Sequence, residues 1–377
     1  MFSFWEQVTW FEHVEFCIVG SGIVGLSAAI QLRRKHPKAK ILVLERGVLP
    51  NGASTKNAGF ACFGSLSEIV SDLKTMSEDQ VIQLIENRWK GLELLRKNLG
   101  DENIDLLNLG GFEIFRPAES AQFEASLEIL DSMNTALRAI IPGEPIYSRV
   151  DHQIESKGFK GVSGMILNRA ESQIDTGKMM LNLIKKAQQL DIQILHGIQV
   201  DGFEEHSNLV QLHTSVGKIA TNKLLLTTNG FAQQLLPKLD VKPGRAQVLV
   251  TSPIPSLKFE GTYHLDEGYF YFRNFGNRVL LGGGRNLDIP GETTYSHQTT
   301  DFIQSHLEQL LKTVILPEAE YTIEYRWAGT LGLGVSKNPI IEAISNKVFC
   351  GVRMGGMGVA IGSKAGEDLA ELASSSY

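Results

Sequence analysis

Phe16-Cys17-Ile18-Val19-Gly20-Ser21-Gly22-Ile23-Val24-Gly25-Leu26 is the stretch whose reading decides the fold. An apolar run enters three glycines at fixed offsets. Leu26, Ala29, Ile30 and Leu32 then repeat with helical spacing until His36-Pro37 stops them. Lys40-Ile41-Leu42-Val43-Leu44 follows, an apolar run of the kind buried in a parallel sheet, closed by Glu45. Strand, glycine turn, helix, strand and acid in this order predict a dinucleotide site. Gly20 permits the turn, Gly22 lets backbone approach a pyrophosphate, and Gly25 lets helix and strand pack. Ser21, Ile23 and Val24 complete the turn, and the helix start offers free N–H groups and a positive dipole end to phosphates. Glu45 is expected to accept from the adenosine ribose hydroxyls, with Arg46 beside it. By itself this unit leaves NAD and FAD both open.

Working outward, three further segments bear on that choice. Gly52-Ala53-Ser54-Thr55-Lys56-Asn57-Ala58-Gly59-Phe60 is a small polar loop where a simple NAD fold would begin another helix. Lys223-Leu224-Leu225-Leu226-Thr227-Thr228-Asn229-Gly230 is a buried strand running into a polar turn. It follows an amphipathic helix over 177–190 and a strand over 194–200, which brings Val200 to the cofactor. Lys347-Val348-Phe349-Cys350-Gly351 reads as a strand leading to Gly355-Gly356-Met357-Gly358 and a helix from Val359 to about residue 372. Its N-terminus is a second anion-accepting end, suited to flavin N1 and C2=O, where negative charge appears on reduction. Segments spread over the whole chain suit a long, extended ligand, so FAD is the expected cofactor.

The bulk numbers bound the function. The 377 residues carry 36 Lys plus Arg against 42 Asp plus Glu, a formal charge of −6, with 43% apolar and 21% charged residues. This mild acidity argues against a nucleic-acid or anionic-membrane partner. The first fifteen residues hold Glu6, Glu12 and Glu15 and do not read as a signal peptide, and no apolar run approaches membrane-spanning length. Cys17, Cys62 and Cys350 lie far apart without metal spacing, which predicts reduced thiols in a cytoplasm. The nine histidines form no H-x-x-x-H or H-E-x-x-H pattern, so no metal is expected.

Across nearly its whole length the chain resembles the D-amino-acid-oxidase-like superfamily of FAD-dependent oxidoreductases, which includes glycine, sarcosine and gamma-glutamylputrescine oxidases. The resemblance rests on Ile18 to Leu26, Leu44-Glu45-Arg46-Gly47, Ser54-Thr55-Lys56-Asn57-Ala58-Gly59, Arg278-Val279-Leu280-Leu281-Gly282-Gly283, Arg326-Trp327-Ala328-Gly329 and Gly355-Gly356-Met357-Gly358. It implies an α/β fold in two interleaved parts. One is a Rossmann-type FAD domain over 1–90, 155–235 and 335–377. The other is a mixed-sheet substrate domain over 91–154 and 236–334. Departures from the pattern are informative. Glycine and D-amino-acid oxidases place a carboxylate-holding arginine where this chain has Thr330-Leu331-Gly332, so a simple amino acid needs Arg273, Arg285 or Arg353 in its stead. Sarcosine oxidases bind flavin covalently through a cysteine where Ala328 and Gly329 stand, which implies non-covalent FAD. Their oxygen-associated lysine is replaced by Leu280, which argues for an electron acceptor other than oxygen, though oxygen or another carrier both stay open.

The chemistry expected is oxidation of a small amine or amino acid by hydride transfer from the C–H next to nitrogen to flavin N5. A neutral amine needs no side-chain base, so no catalytic His or Cys is expected. Phe60, Tyr271 and Trp327 are the predicted apolar lining, Arg273 is a further candidate for the substrate pocket, and Arg353 and Lys56 are expected to face the flavin or an acidic substrate group. Met354 and Met357 read as packing. An FAD-dependent 2-hydroxy-acid dehydrogenase is the alternative; it requires a base, and the sequence points to none. Action on a tRNA-borne amine is disfavoured by the acidic charge, and a non-catalytic FAD or NAD binder is the remaining class.

Overall fold

The computed structural model describes residues 2–143 and 145–375. Val14–Val19 is buried almost throughout and lies at the centre of an eight-stranded sheet, paired in parallel with Ile41–Glu45 and with Gly217–Leu226. The path runs Ile340–Ala343, Val348–Val352, Gly217–Leu226, Val14–Val19, Ile41–Glu45, Gln193–His196, and only its first pairing is antiparallel. Two more strands, Val200–Glu205 and Val210–Thr214, extend it as an antiparallel hairpin against Gly217–Leu226. Such strands are apolar on both faces because helices cover both. Helix Ile23–Lys35 buries Leu26, Ala29, Ile30 and Leu32 on one side, as the helical spacing requires, and Gly358–Ser375 packs beside it. Burying side chains such as Phe16, Ile18, Leu26 and Ile30 contributes about 1.5–3 kcal/mol each.

The second sheet also has eight strands, in the order Ile323–Leu333, Lys242–Thr251, Arg278–Gly283, Phe270–Phe275, Thr262–Leu265, Gly111–Phe115, Gly164–Asn168, Tyr147–Arg149. It is antiparallel except where Thr262–Leu265 runs parallel to Gly111–Phe115. Phe112, Tyr263, Phe272, Leu281 and Leu307 form its separate core. A short pairing of Phe60–Ala61 with Ser172–Gln173 lies between the two.

Two of the expected domain boundaries fall at continuous structure. Residue 90 falls within the single helix Glu78–Leu99, and Leu92, Leu95 and Leu99 are buried in the core of the first sheet. The helix begins at the capping box read from Ser77 and Gln80: Gln80 N–H donates to Ser77 Oγ at 3.3 Å and Ser77 N–H to Gln80 Oε1 at 3.0 Å. At the other boundary, Gly164–Asn168 pairs with Gly111–Phe115, so the second sheet keeps the chain beyond residue 155. Hydrophobic spacing marks a strand without saying which sheet takes it. Among the described residues, no helix is long and apolar enough to cross a membrane.

Candidate active site

The carboxyl end of Val14–Val19 opens onto a cavity of about 170 Å3. Gly20 has φ +107°, which side chains disfavour. A Cβ on Gly25 would stand 2.0 Å from the Gly20 carbonyl oxygen, so the turn closes only with glycine there. Glu45 reaches the turn from the next strand, where its carboxylate accepts from Ser21 Oγ at 2.8 Å, Ser21 N–H at 3.2 Å and Gly47 N–H at 3.0 Å. Ser54 Oγ accepts from Ile23 N–H at 3.0 Å, which ties the small polar loop to the helix start. Arg46 stacks its guanidinium 3.9 Å from the Phe231 ring centre.

Of the residues expected at the cofactor, Gly20, Gly22, Ile23, Val24, Glu45, Arg46, Ser54, Asn57, Val200, Thr228, Asn229, Gly356, Gly358 and Val359 line this cavity. Lys56, Ala58, Gly355 and Met357 line its continuation. Ser21 and Gly25 sit behind the turn. Thr55 donates its hydroxyl to Pro50 O, Gly59 presents its carbonyl to Arg273, and Gly230 leaves room for the Leu331 carbonyl, so these three build the walls from outside. Two hydroxyls on this cavity, Thr228 Oγ1 and Thr330 Oγ1, are buried without a hydrogen-bond partner. Native interiors rarely leave such groups unpaired. Unpaired donors, the glycine turn, the acid at the strand end and two helix N-termini fit a phosphate-bearing dinucleotide.

A second cavity of about 510 Å3 continues from the first, sharing Ala53, Asn57, Leu331, Gly356 and Val359 as walls. Phe60 and Tyr271 line it as expected, their ring centres 5.6 Å apart and edge-on. Burial pushes the Tyr271 phenol up to about 12, so it remains a donor at neutral pH. The other three predicted pocket residues do not line either cavity. Arg273 is buried, and donates to the carbonyls of Gly59 at 2.8 Å, Ile174 at 2.7 Å and Asn274 at 3.0 Å. Trp327 donates Nε1–H to Lys56 O at 2.9 Å. Arg353 has φ +64° and is held by Asp240 at 2.7 Å and by Asn338 O. All three fasten loops by donating to backbone carbonyls.

Arg285, one of the three arginines offered for a substrate carboxylate, lines the second cavity; sequence reading missed its other charged residues, Glu68, His264, Glu267 and Lys337. Glu68 accepts from Lys337 Nζ at 3.0 Å and lies 3.4 Å from Arg88; burial raises its carboxyl, but these two cations more than offset that and hold it below the usual range. Lys337 also pairs with Asp72 at 2.6 Å. Among the described residues no carboxylate forms an ion pair with Lys56 or with Arg285, whose guanidinium lies 5.5 Å from the Tyr269 ring centre, so both cations on the wall lack a carboxylate partner. Burial and neighbouring carboxylates hold the Cys62 thiol well above its usual range, and its Sγ packs 3.6 Å from Met357 Sδ. No local motif announces this set, because its members come from separate strands and loops.

The model of the FAD dependent oxidoreductase family matches residues 15–372. The chain belongs to this family of FAD-dependent oxidoreductases. The oxidoreductase is 22% identical to the probable oxidoreductase OrdL of Haemophilus influenzae, over 97% of this chain and 84% of that one. It is 24% identical to the gamma-glutamylputrescine oxidoreductase of Escherichia coli, over 95% and 83%. Its fold is that of a glycine oxidase from Geobacillus kaustophilus, with TM-score 0.76 and 18% identity over 96% of this chain and 94% of the other.

Proposed function

We propose that this oxidoreductase oxidises a small amine bearing an acidic group, an amino acid being the simplest case. The observation that carries the reading is the second cavity, which adjoins the dinucleotide cavity and combines aromatic walls with two cations that lack a carboxylate partner. FAD belongs in the first cavity on this reading, with Glu45 at the ribose end and the Gly355-Gly356 turn toward the flavin end. When bound it supplies a two-electron acceptor for the C–H next to nitrogen. Phe60 and Tyr271 exclude water and favour the uncharged amine. Arg285 takes the carboxylate-holding place that Thr330-Leu331-Gly332 leaves empty, because Arg273 and Arg353 are spent on backbone carbonyls. Names of the relatives point the same way, since glycine and gamma-glutamylputrescine are both amines with a carboxylate.

The cofactor is held non-covalently on this reading: Ala328 and Gly329 carry no nucleophile, and the Cys62 thiol stays protonated. Leu280 favours a carrier other than oxygen as electron acceptor. The domains divide into an FAD part around the first sheet and a substrate part around the second. A cytoplasmic location fits three buried, unpaired cysteines. To test the function, purified holoenzyme is mixed without oxygen with amines, amino acids and 2-hydroxy acids. Bleaching of the flavin bands near about 375 and 450 nm by an acidic amine is expected, with slow recolouring in air. Bleaching by 2-hydroxy acids alone would replace this reading with the dehydrogenase one.

A further inference from the structure

One strand of the second sheet brings a polar cluster to the second cavity. His264 lies on Thr262–Leu265, where the register sets it beside Tyr271 on one strand and Glu113 on the other. Cross-strand neighbours share a face, so imidazole, phenol and carboxylate point to one side of the sheet. The imidazole is 8% exposed, lines the cavity and meets the Phe60 ring edge-on at 5.2 Å. Behind it, Glu171 is 1% exposed and places Oε2 3.4 Å from His264 Nε2. That is ion-pair distance without hydrogen-bond alignment: His264 Nε2, Glu171 Oε1 and Asn168 Nδ2 are all buried and unpartnered. All three residues border one void of about 10 Å3. Gly111 makes the space, because a Cβ there would stand 2.0 Å from Glu171 Oε2.

Unpaired buried groups cluster where a site needs them. A free amine arrives at neutral pH as an ammonium ion, which has no lone pair to form the C=N bond of the product. We propose that His264 accepts the ammonium proton in the cavity, with Glu171 as the positioning residue that orients the imidazole and stabilises its charged form. The proposal rests on the amine reading above. One N–H bond of the ammonium breaks, its electron pair stays on nitrogen, and the proton binds the imidazole. The α-hydrogen then leaves the neutral amine as hydride, carrying two electrons to the flavin, while the nitrogen lone pair closes C=N. The imidazolium returns its proton to solvent as product leaves.

The surroundings set when the base is free. Burial pulls the imidazole down, but Glu171, and then Glu113 and Glu68, more than offset this and raise it above the ordinary histidine range. Glu68 is shared with Arg88 and Lys337, whereas Cys62 and Tyr271 face the imidazole as neutral groups. A raised pKa means that His264 is protonated below it and open to accept only above it. Oxidation therefore gains with rising pH through that ionisation, and removing the Glu171 charge moves the gain to lower pH.

The test uses FAD-loaded wild type, His264→Asn and Glu171→Gln, with the panel amine that bleaches flavin fastest without oxygen. Loss of a general base slows reduction about a hundredfold near neutrality and removes the ionisation from the His264→Asn profile. Glu171→Gln keeps the ionisation at lower pH. Independently of turnover, nuclear magnetic resonance of histidine-labelled holoenzyme should show one imidazole, missing from His264→Asn, that titrates above the ordinary histidine range and shifts down in Glu171→Gln. If His264→Asn keeps wild-type rate and profile, or Glu171→Gln leaves the imidazole unmoved, the proposal is overturned and the amine reading survives. If 2-hydroxy acids and no amine bleach the flavin, and His264→Asn abolishes it, the amine reading falls and His264 stands as proton acceptor.

Discussion

The first cavity, the one proposed for FAD, is walled mainly by backbone and small residues, with Gly20, Gly22, Ser54, Thr228 and Gly356 around it. The cavity joined to it is walled by large and charged side chains: Phe60, Tyr271, His264, Glu68, Arg285 and Lys337. One recognises a ligand shared by a whole family, through turn geometry and N–H groups. The other has to recognise one substrate, through side chains that can be exchanged without disturbing a fold.

This contrast makes the FAD cavity intolerant of added bulk. Gly25→Val puts side-chain atoms where the Gly20 carbonyl stands, and FAD content is expected to fall at least about a hundredfold, read as the 450 nm to 280 nm absorbance ratio. Stoichiometric flavin in that variant would mean that the turn is not the anchor. Arg273→Met removes the buried donors to the Gly59, Ile174 and Asn274 carbonyls and should lower stability by about 3 kcal/mol in denaturant titration, with KM unchanged in the surviving holoenzyme. A raised KM at unchanged stability would return Arg273 to the substrate. Glu45→Gln removes the carboxylate that organises Ser21 at the glycine turn; FAD affinity should weaken by about 1.5–3 kcal/mol in a fluorescence titration. The mildest change is Arg285→Gln, for which an increase of about tenfold in KM is expected with acidic amines only, at constant kcat. An equal loss with uncharged amines would place Arg285 outside substrate recognition.

The same contrast separates the residues that are legible in the sequence from those that are not. Gly20, Gly22, Gly25 and Glu45 announce themselves because a turn and a ribose contact require those residue types within one short βαβ unit. Gly355 and Gly356 are legible for the same reason, ahead of a helix. Arg273, Trp327 and Arg353 have suitable side chains near family motifs, but residue type does not say where a side chain points. Arg273 shares a sheet face with Tyr271, yet it stands two cross-strand pairs further along, opposite Thr262, under the loop carbonyls rather than in the cavity. His264 and Glu171 are hidden because two different sheets bring them together, Glu171 through the pairing of Ala61 with Ser172 and His264 through that of Thr262–Leu265 with Phe270–Phe275. Near residues 90 and 155 likewise, a helix and a strand join partners remote in sequence, which spacing alone does not announce.

The strand order of the first sheet has a consequence for biogenesis. Gly217–Leu226 must sit between Val14–Val19 and Val348–Val352, and helix Gly358–Ser375 packs on Ile23–Lys35. A nascent chain of about 300 residues already carries the glycine turn but lacks the strand and helix that cover it. Long-range pairing of this kind delays folding until the partner arrives. The first cavity is therefore unfinished until Gly358–Ser375 has emerged and packed, and capture of the flavin follows that step.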